Sequence, residues 1–482
     1  MTTSIWWIRR DFRLVDNQAL NAACSESDQV IPVFILDDRL LHSQYVGTKR
    51  IVFLFEGLRR LDESLRKNGS HLVLRRGDPI AELSRLVHEH QVDVIFAEMD
   101  FSPFARCRDL EISHHLPVRW INGALIHPPG SITKADGTPY TVFTPFLKAW
   151  KASPSPAEHS FHAAVVKINT PPGIDTLPIP EKPVLPNSVP FTPGEAEARL
   201  RLDDFVYGLR NSANDQGGID GNDLQPVFRY ALGRNELAND GTSFLSPYLR
   251  FGMISIRQVV SVAHRAVREA PDPSARQSAE VWLNELVWRE FYYHILHHFP
   301  HVREVNFRMK GIMWRNDESD FSAWCAGQTG YPIVDAAMRQ MHSTGWMHNR
   351  SRMIVASFLT KDLLVDWKWG EKHFMQHLVD GDPASNNGGW QWTAGTGTDA
   401  APYFRIFNPL SQSKKFDPAG VYIRRWLPEL ANVPDEFIHE PCLMSDELQA
   451  RVGCKIGADY PAPVVDHHMA RERALLAYRE GK

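Results

Sequence analysis

Val30-Ile-Pro-Val-Phe-Ile-Leu36 is an uninterrupted apolar run with the length and β-branched composition of a buried β-strand. Three shorter runs of the same kind lie at Ile5–Ile8, His71–Leu74 and Val94–Phe96. Helix-like segments separate these runs: Thr48 begins one with apolar residues at three- and four-residue spacing, and Pro79 suits the first turn of another. Strands that alternate with helices predict a doubly wound α/β domain with a parallel sheet, which we assign to residues 1–130.

The remainder of the chain has a different composition. Between Ala152 and Gly194 prolines are frequent and periodic apolar positions are few, which disfavours both helix and sheet. From about Asp203 onward the apolar spacing is mostly helical. The clearest helical segments are Ala279–Phe299, Ile333–His342, Arg350–Leu364 and Val464–Arg479. We therefore predict a linker over residues 131–202 and an all-α domain over residues 203–482.

The composition excludes several classes of protein. With 43% hydrophobic and 23% charged residues and no run of about 18 apolar residues, the chain is not expected to enter a membrane. Its N-terminus reaches charged residues after only four apolar ones, too few for a signal peptide, so we expect cytoplasmic residence. Five scattered cysteines without a CxxC pair suggest neither a disulfide framework nor a zinc site, and we predict no metal ligand. A net charge of -4 argues against a globally basic nucleic-acid binder but permits a local basic patch.

The densest chemical signal is Asp380-Gly-Asp-Pro-Ala-Ser-Asn-Asn-Gly-Gly-Trp-Gln-Trp392, which crowds carboxylates, amides, paired glycines and two indoles together. Glycines let the backbone approach a ring closely, and carboxylates and amides offer acceptors and donors to its edge, so the segment suits a planar heteroaromatic ligand. The alternative is a loop between helices with capping Asp and Asn residues. Downstream, Gly395-Thr-Gly-Thr-Asp-Ala400 is similar to a dinucleotide motif, but no strand precedes it and we discard it.

Two further segments place polar and aromatic side chains at helical spacing. In Trp346–Met353, a helix would put Trp346, Asn349 and Met353 on one face with Arg352 beside them. In Trp282–Glu290, Glu285 lies one turn before Trp288, so that a carboxyl and an indole face the same way. Core packing by Met353 and a solvated ion pair at Glu285 are the alternatives.

These three segments, with Gly241–Leu249 and Arg9–Asn17, closely resemble the photolyase/cryptochrome family over nearly the whole chain. The longest matching run extends from Gly327 to Asn408. Within the family the chain is most similar to the class I photolyases that act on cyclobutane pyrimidine dimers. The resemblance implies light-driven electron transfer from reduced FAD to a dimer that is flipped out of UV-damaged DNA.

The resemblance also implies which residues hold FAD in the helical domain. The phosphate and ribitol side would contact Tyr230, Thr242, Ser243, Leu245 and Ser246. The isoalloxazine would be surrounded by Trp282, Asn349, Arg352, Asp380, Asp382 and Asn386. We expect Arg352 to pair with Asp380 and Asn386 to face flavin N5. Phe244 stands where some members of the family carry Arg.

Substrate choice depends on a few positions. Enzymes that act on the (6-4) lesion carry histidines at the places of Asn349 and Met353, and neither is present here. The residues that resemble a cyclobutane-dimer pocket are Glu285, Trp288, Asn349, Met353 and Trp392. Family positions that grip the flanking phosphates correspond to Arg234, Arg350 and Arg405. We expect Glu285 to stabilise the charge that develops on the lesion.

Trp390, Trp367 and Trp314 match the tryptophan chain through which members of the family reduce an oxidised flavin in light. Phe104 and Ala105 replace the polar residues of the family's folate-binding pattern, so an 8-hydroxydeazaflavin, a second flavin or no antenna fits the N-terminal domain better than methenyltetrahydrofolate. The alternative to a repair enzyme is a cryptochrome-type blue-light sensor. Plant-like and animal-like cryptochromes carry Asp or Cys at the place of Asn386. We expect a monomer.

Overall fold

The protein is described here from a computed structural model, which covers residues 1–154, 161, 163, 165, 167–208, 225–308, 311–402 and 404–481. Its contacts divide the chain into two compact units. Unit 1 comprises Met1–Ala231, Thr242–Pro300 and Val379–Ala384, and unit 2 comprises Leu232–Gly241, His301–Leu378 and Ser385–Lys482. The domain boundaries proposed at residues 130 and 202 remain predictions, and residues 155–160, 162, 164 and 166 of the proposed linker lie outside the described part.

A five-stranded parallel sheet forms the core of unit 1. Its strands are β1 (Thr3–Ile8), β2 (Gln29–Leu36), β3 (Val73–Arg76), β4 (Val94–Glu98) and β5 (Val118–Ile121). They are ordered β3-β2-β1-β4-β5, with Ile5 opposite Ile31 on one side and Ile95 on the other. Nearly every residue of β1 and β2 is buried because helices cover both faces, which explains the unbroken apolar runs. The α/β prediction is confirmed, but the short edge strand β5 was not predicted.

The helices follow the predicted pattern. Unit 1 contains Gln18–Glu26, Asp38–Leu41, Thr48–Lys67, Pro79–His90, Pro103–His115, Phe143–Ala152, Glu195–Tyr207, Ser246–Phe251, Ile256–Glu269 and Pro273–His298. Unit 2 contains Glu318–Ala326, Pro332–Thr344, Asn349–Ser357, Trp367–His377, Pro409–Phe416, Val421–Trp426, Asp446–Val452 and His467–Glu480. Two more helices, Tyr230–Gly233 and Pro383–Ala394, contain residues of both units.

Several shorter elements complete the backbone. Single turns of 3-10 helix lie at Pro226–Arg229, Pro300–Arg303, Pro428–Leu430 and Pro441–Leu443, and a π-helical turn covers Phe358–Asp362. The predicted helix over Arg350–Leu364 therefore changes to π geometry at Phe358. The proposed linker contains the whole of the helix Phe143–Ala152 and the first part of the helix Glu195–Tyr207.

Helix starts are fixed by side-chain caps. Asn17 accepts a hydrogen bond from the Leu20 N–H at 2.9 Å, and Asp272 accepts from the Ala275 N–H at the same distance. Both arrangements satisfy backbone donors that the first turn of a helix leaves without partners. Pro273 follows Asp272 at the first helical position, where its missing N–H costs nothing. None of the helices in the described part of the chain combines the length and apolarity needed to cross a bilayer.

The segment after β1 joins the sheet to the helices of unit 1 through buried ion pairs and hydrogen bonds. Arg13 donates to Glu98 at 2.7 Å and to the Gly252 carbonyl at 3.2 Å, and the Ser255 hydroxyl donates to Asp16 at 2.5 Å. Gly252 has φ +64°, and a Cβ there would collide with the carbonyl oxygen of Arg10. Only glycine permits this close approach, so the end of β1 has a fixed position relative to the helix Ser246–Phe251.

Candidate functional site

Asp382 lies at the centre of a hydrogen-bond network in unit 1. Its Oδ1 accepts from the Ala384 N–H at 3.0 Å, which caps the helix Pro383–Ala394. Its Oδ2 accepts from Arg10 Nη2 at 2.7 Å and from the Tyr293 hydroxyl at 2.6 Å. The segment that seemed either a ligand loop or a capping loop is thus a helix with a capping aspartate, and its carboxylate also anchors Arg10.

Guanidinium and carboxylate groups share this buried region of unit 1. Burial alone would raise the pKa of Asp382, but Arg10 and Arg250 lower it well below its usual range. Burial and the nearby Arg250 lower the pKa of Arg50 to about 9, although Asp380 opposes the shift. Asp382 therefore remains ionised among several cations. The sequence identified the two aspartates but missed Arg50 and Arg250, which lie far away along the chain.

The loop before the helix Ser246–Phe251 presents small polar side chains. The Oγ1 of Thr242 is buried and has no hydrogen-bond partner among the residues that the structure describes. Phe244 has φ +50°, a strained conformation for a non-glycine residue, and Leu245 is buried. A buried hydroxyl without a partner costs free energy, so Thr242 fits a site where a ligand oxygen supplies the missing bond.

Tyr230 and Trp282 are connected by one aromatic residue of unit 1. The ring of Phe205 lies 5.8 Å from that of Tyr230, edge to face, and 5.0 Å from that of Trp282. Both predicted residues are buried, and Trp282 lies in the helix Pro273–His298. The structure thus brings these two predicted FAD contacts into one aromatic cluster.

The helix Pro273–His298 also carries Glu285 and Trp288, and both side chains are half-buried. The indole of Trp288 stacks on Phe143, with ring centroids 3.6 Å apart and planes inclined by 9°. Phe143 itself is buried. One face of the indole is therefore covered and its orientation fixed, which suits a stacking platform. Phe143 lies at the start of another helix, and no sequence pattern indicated this contact.

Glu290 lies two residues beyond Trp288 and holds neighbouring segments of unit 1 to the helix. Its carboxylate accepts from the N–H groups of Ile126 at 2.8 Å and His127 at 3.0 Å, and from the Trp150 indole at 2.7 Å. Burial raises the pKa of Glu290 to about 7, against the effect of these donors. The sequence did not single out this residue.

In unit 2, Asn386 is held by the helix Trp367–His377. Its Nδ2 donates to the backbone oxygen of Glu371 at 3.0 Å. The amide oxygen of Asn386 accepts no hydrogen bond from the described residues, so it is available as an acceptor. An acceptor fixed in this way fits the N–H that a reduced flavin carries at N5.

The segment around Asn349 differs from the prediction in one respect. The helix begins at Asn349, because His348 caps it by accepting from the Arg350 N–H at 3.1 Å. Trp346 precedes the helix, so the prediction that it shares a helical face with Asn349 and Met353 was wrong. Asn349 and Met353 lie one turn apart, the first exposed and the second half-buried.

Two arginines of unit 2, Arg234 and Arg405, lie close enough to Arg350 to affect its charge. Burial lowers the pKa of Arg350, and the positive charges of Arg234 and Arg405 lower it further. Arg350 is oriented by Asn235, whose Oδ1 accepts from its Nη2 at 2.7 Å, and its Nη1 lies 3.7 Å from the sulfur of Met353. The structure therefore brings together the three arginines that the resemblance assigned to phosphate binding. The neighbouring Arg352 donates from its Nε to the Met347 carbonyl at 2.8 Å.

Trp390 and Trp367 belong to the same buried core cluster of unit 2, and the half-buried Trp314 packs at its edge. Trp367 donates to Asn306 at 2.7 Å, whereas the buried indole N–H of Trp390 has no partner in the described part of the chain. Gly370 provides the space for Trp390, since a Cβ there would collide with the indole.

Trp324 was missed from the sequence and is a further neighbour of Trp390, with ring centroids 6.1 Å apart. Trp392 lies two residues beyond Trp390 in the helix Pro383–Ala394, and its side chain is half-buried rather than buried. Residues two apart on an α-helix differ by about 200° around its axis, so Trp390 faces the core while Trp392 points to nearly the opposite side.

The predicted site residues fall in both units. Unit 1 contains Tyr230, Thr242, Ser243, Leu245, Ser246, Trp282, Glu285, Trp288, Asp380 and Asp382. Unit 2 contains Arg234, Trp314, Asn349, Arg350, Arg352, Met353, Trp367, Asn386, Trp390, Trp392 and Arg405. Their assigned roles, including the pairing of Arg352 with Asp380, remain predictions.

Comparisons with known proteins cover the whole chain. Family models described as DNA photolyase and as the FAD binding domain of DNA photolyase match residues 4–164 and 282–480. A deoxyribodipyrimidine photo-lyase of Synechococcus sp. is 41% identical over 494 residues, which cover 99% of this chain and 96% of the relative.

Solved structures agree with these matches. A bacterial class III photolyase from Agrobacterium tumefaciens matches with a TM-score of 0.89 and 39% identity, covering 100% of this chain and 98% of its own. A cryptochrome from Synechocystis sp. matches with a TM-score of 0.85 and 29% identity, covering 99% of each chain. An archaeal photolyase from Sulfolobus tokodaii with two FAD molecules matches with a TM-score of 0.77 and 31% identity, covering 99% of this chain and 100% of its own. Sequence, fold and FAD-binding domain thus lead to one conclusion: the chain belongs to the DNA photolyase family.

Proposed function

We propose that this protein repairs cyclobutane pyrimidine dimers in DNA by a light-dependent reaction with FAD as its cofactor. The Synechococcus relative is named deoxyribodipyrimidine photo-lyase, which supports this substrate. The observation that carries the proposal is the position of Arg234 and Arg405 near the half-buried Arg350, whose pKa is lowered by burial and further by these two positive charges. Cations held this close need anions nearby, and the phosphates that flank a lesion supply them.

FAD would be held by residues that the two units provide separately. In unit 1, Thr242 with its partnerless hydroxyl would contact the phosphate side, together with Tyr230, Ser243, Leu245 and Ser246. The ring would meet Trp282, Asp380 and Asp382 of unit 1 and Asn349, Arg352 and Asn386 of unit 2. When bound, reduced FAD supplies a light-excited electron that splits the dimer and is recovered afterwards.

The lesion would be read by the half-buried side chains already described. Trp288, fixed by Phe143, and Trp392 would stack on the two pyrimidines, while Met353 shapes the pocket. Base stacking on an aromatic side chain contributes about 1–3 kcal/mol per base. Unstacking a damaged pair costs only a few kcal/mol, so these contacts can offset the cost of flipping.

Glu285 would hydrogen-bond the pyrimidine edge and stabilise the charge that develops on its carbonyl. We expect Glu285→Gln to lower the quantum yield of repair at saturating substrate, measured under single-turnover illumination. Glu280→Gln, on the same helix, is the matched control and should keep the full yield. A full yield in Glu285→Gln would remove this role.

An antenna chromophore would bind at the carboxyl edge of the sheet of unit 1. Ligands of doubly wound sheets bind where the strand order reverses, which is between β1 and β4 here. Nearby, the exposed ring of Phe104 lies 5.5 Å from the guanidinium carbon of Arg39 and 5.9 Å from that of Arg108. This surface suits a flat chromophore, and Phe104 and Ala105 lack the polar groups of the folate-binding pattern, so we propose an 8-hydroxydeazaflavin or a second flavin rather than a folate. The absorption spectrum of the chromophore extracted from purified protein tests this choice.

The repair proposal is tested by illuminating the purified reduced protein with an oligonucleotide that contains a thymine dimer. We expect thymine absorbance to return in light and not in darkness. No return in light would favour the cryptochrome-type sensor, a possibility that the match to the Synechocystis cryptochrome supports. Assignment to class I, a monomeric state and cytoplasmic residence stay predictions.

A further inference from the structure

Three imidazoles meet in unit 2 outside the residues assigned above. His373 and His377 lie one turn apart on the helix Trp367–His377, and His342 lies in the last turn of the helix Pro332–Thr344. One ring nitrogen of each can be chosen so that all three lie within 4.8 Å of one another. All three side chains are half-buried, so an ion could reach them from solvent.

The rings are arranged as ligands of a single ion would be. The Nε2 atoms of His342 and His373 are 3.1 Å apart. His377 lies against both, with ring centroids 4.5 Å from His342 and 4.3 Å from His373. Tetrahedral zinc holds its nitrogen ligands at about 2.0–2.1 Å, which separates two such nitrogens by about 3.3 Å. Small side-chain movements would therefore bring the three nitrogens to coordination distance.

Cys325 provides the outer contact that a metal-binding histidine usually has. Its sulfur lies 3.5 Å from His373 Nδ1, the ring nitrogen on the side away from His342. A histidine that binds metal through Nε2 carries its proton on Nδ1 and donates it to a neighbouring acceptor. The sulfur can accept this hydrogen bond and fix the ring orientation.

We propose that His342, His373 and His377 form a binding site for a divalent transition-metal ion, most favourably zinc, with a fourth position open to water. Imidazole nitrogens suit Zn²⁺, Co²⁺ and Ni²⁺, whereas Mg²⁺ and Ca²⁺ prefer oxygen ligands. The ion would fasten the end of the helix Pro332–Thr344 to the helix Trp367–His377. None of the three histidines is assigned above to FAD or DNA binding, so the site can be tested without reference to repair.

The direct test is a titration of the metal-stripped, full-length holoenzyme with Co²⁺, which is coloured where Zn²⁺ is not. We expect visible absorption bands of tetrahedral Co²⁺ at one equivalent, their loss when Zn²⁺ is added, and a higher melting temperature with Zn²⁺. His377→Gln and His373→Gln should each weaken Co²⁺ binding at least tenfold. His468→Gln removes an exposed imidazole of unit 2 and should leave binding unchanged.

Circular dichroism and FAD content establish that each variant folds. The Co²⁺ spectrum of the unmodified protein needs no variant, and absence of tetrahedral bands there would overturn the proposal. Equal binding by folded His377→Gln and His373→Gln would overturn it as well. Cys325→Ala should keep the Co²⁺ bands while weakening binding about tenfold, as loss of an outer contact typically does.

Discussion

At the scale of single residues, Trp288 shows how a contact outside the predicted site prepares a predicted side chain. Phe143 covers one face of the indole at 3.6 Å, so the other face can meet a base without first losing rotational freedom. The sequence indicated Trp288 from its family position. It could not indicate Phe143, because a stacking partner on another helix leaves no periodic signal.

We expect Phe143→Ala to weaken binding of dimer-containing DNA about two- to tenfold, since an aromatic pair contributes about 0.5–1.5 kcal/mol beyond its buried area. Phe143→Tyr keeps the ring and should bind like the unmodified protein. Fluorescence anisotropy with a labelled oligonucleotide measures both. Equal affinity in Phe143→Ala would show that Trp288 needs no such support.

Trp390 permits a second prediction at this scale. Replacement by Phe removes an oxidisable indole while largely preserving the packing against Gly370 and Phe374. Trp390→Phe should therefore slow reduction of oxidised FAD in light but leave repair by protein reduced beforehand unchanged. Transient absorption follows the first process, with Trp426→Phe as the control. An unchanged rate of photoreduction would reject Trp390 as the donor.

At the scale of elements, the helices were the most predictable part of the fold, because apolar spacing and capping residues both indicate where a helix lies. Pro79 after Asp78 begins a helix as predicted, whereas the helix predicted from Ala279 begins earlier, at Pro273 after the capping Asp272. The short strand β5 was missed because four residues at the edge of a sheet carry little periodicity. Trp346 was misplaced because the capping role of His348 depends on a side-chain orientation that spacing does not reveal.

Glu290 gives an element-scale prediction, since it binds the helix Pro273–His298 to Ile126, His127 and Trp150. Its folded pKa of about 7 lies above the ordinary value of 4.5, so the folded state takes up a proton between these pH values. Its contribution to stability is complete below pH 4.5 and is lost as the pH rises through about 7. The difference of about 2.5 pKa units corresponds to about 3 kcal/mol.

In Glu290→Gln this pH dependence should be absent. The free energy of unfolding of the unmodified protein, minus that of the variant, should therefore decrease from pH 4.5 to pH 7. Urea titrations at several pH values measure it, and Glu280→Gln on the same helix is the control. A difference that stays constant with pH would show that Glu290 is ionised throughout.

At the scale of the whole molecule, a net charge of -4 conceals a local concentration of positive charge. Composition could not locate it, because Arg234, Arg350 and Arg405 are far apart along the chain and only the folded unit 2 brings them together. Family resemblance selected these positions, and their electrostatic coupling now supports the choice. The proposed metal site had no such guide, because its histidines lie on two different helices and His342 and His373 are 31 residues apart along the chain.

The arginine group predicts how DNA affinity depends on salt. Three phosphate contacts give a slope of about -2.7 in a plot of log affinity against log salt concentration. Arg350→Ala should reduce the magnitude of the slope by about 1 and weaken binding to all sequences alike. Arg451→Ala, an exposed residue of the helix Asp446–Val452, should leave it unchanged. Affinity that does not vary with salt would contradict the phosphate assignment.

Trp324 is a second possible electron donor to Trp390 in the aromatic interior of unit 2, beside the predicted tryptophan chain. If Trp390 were oxidised, the indole of Trp324, whose ring centroid is 6.1 Å away, could reduce it again, although Trp324 does not belong to the predicted chain of Trp390, Trp367 and Trp314. Beyond it, Phe321 lies 5.9 Å from Trp324, and Trp369 lies 5.0 Å from Phe321. Two electron-transfer routes tolerate damage better than one, because loss of one donor leaves the other able to reduce Trp390. Substitutions in related sequences should therefore be tolerated better at Trp367 or Trp324 than at Trp390, which both routes share.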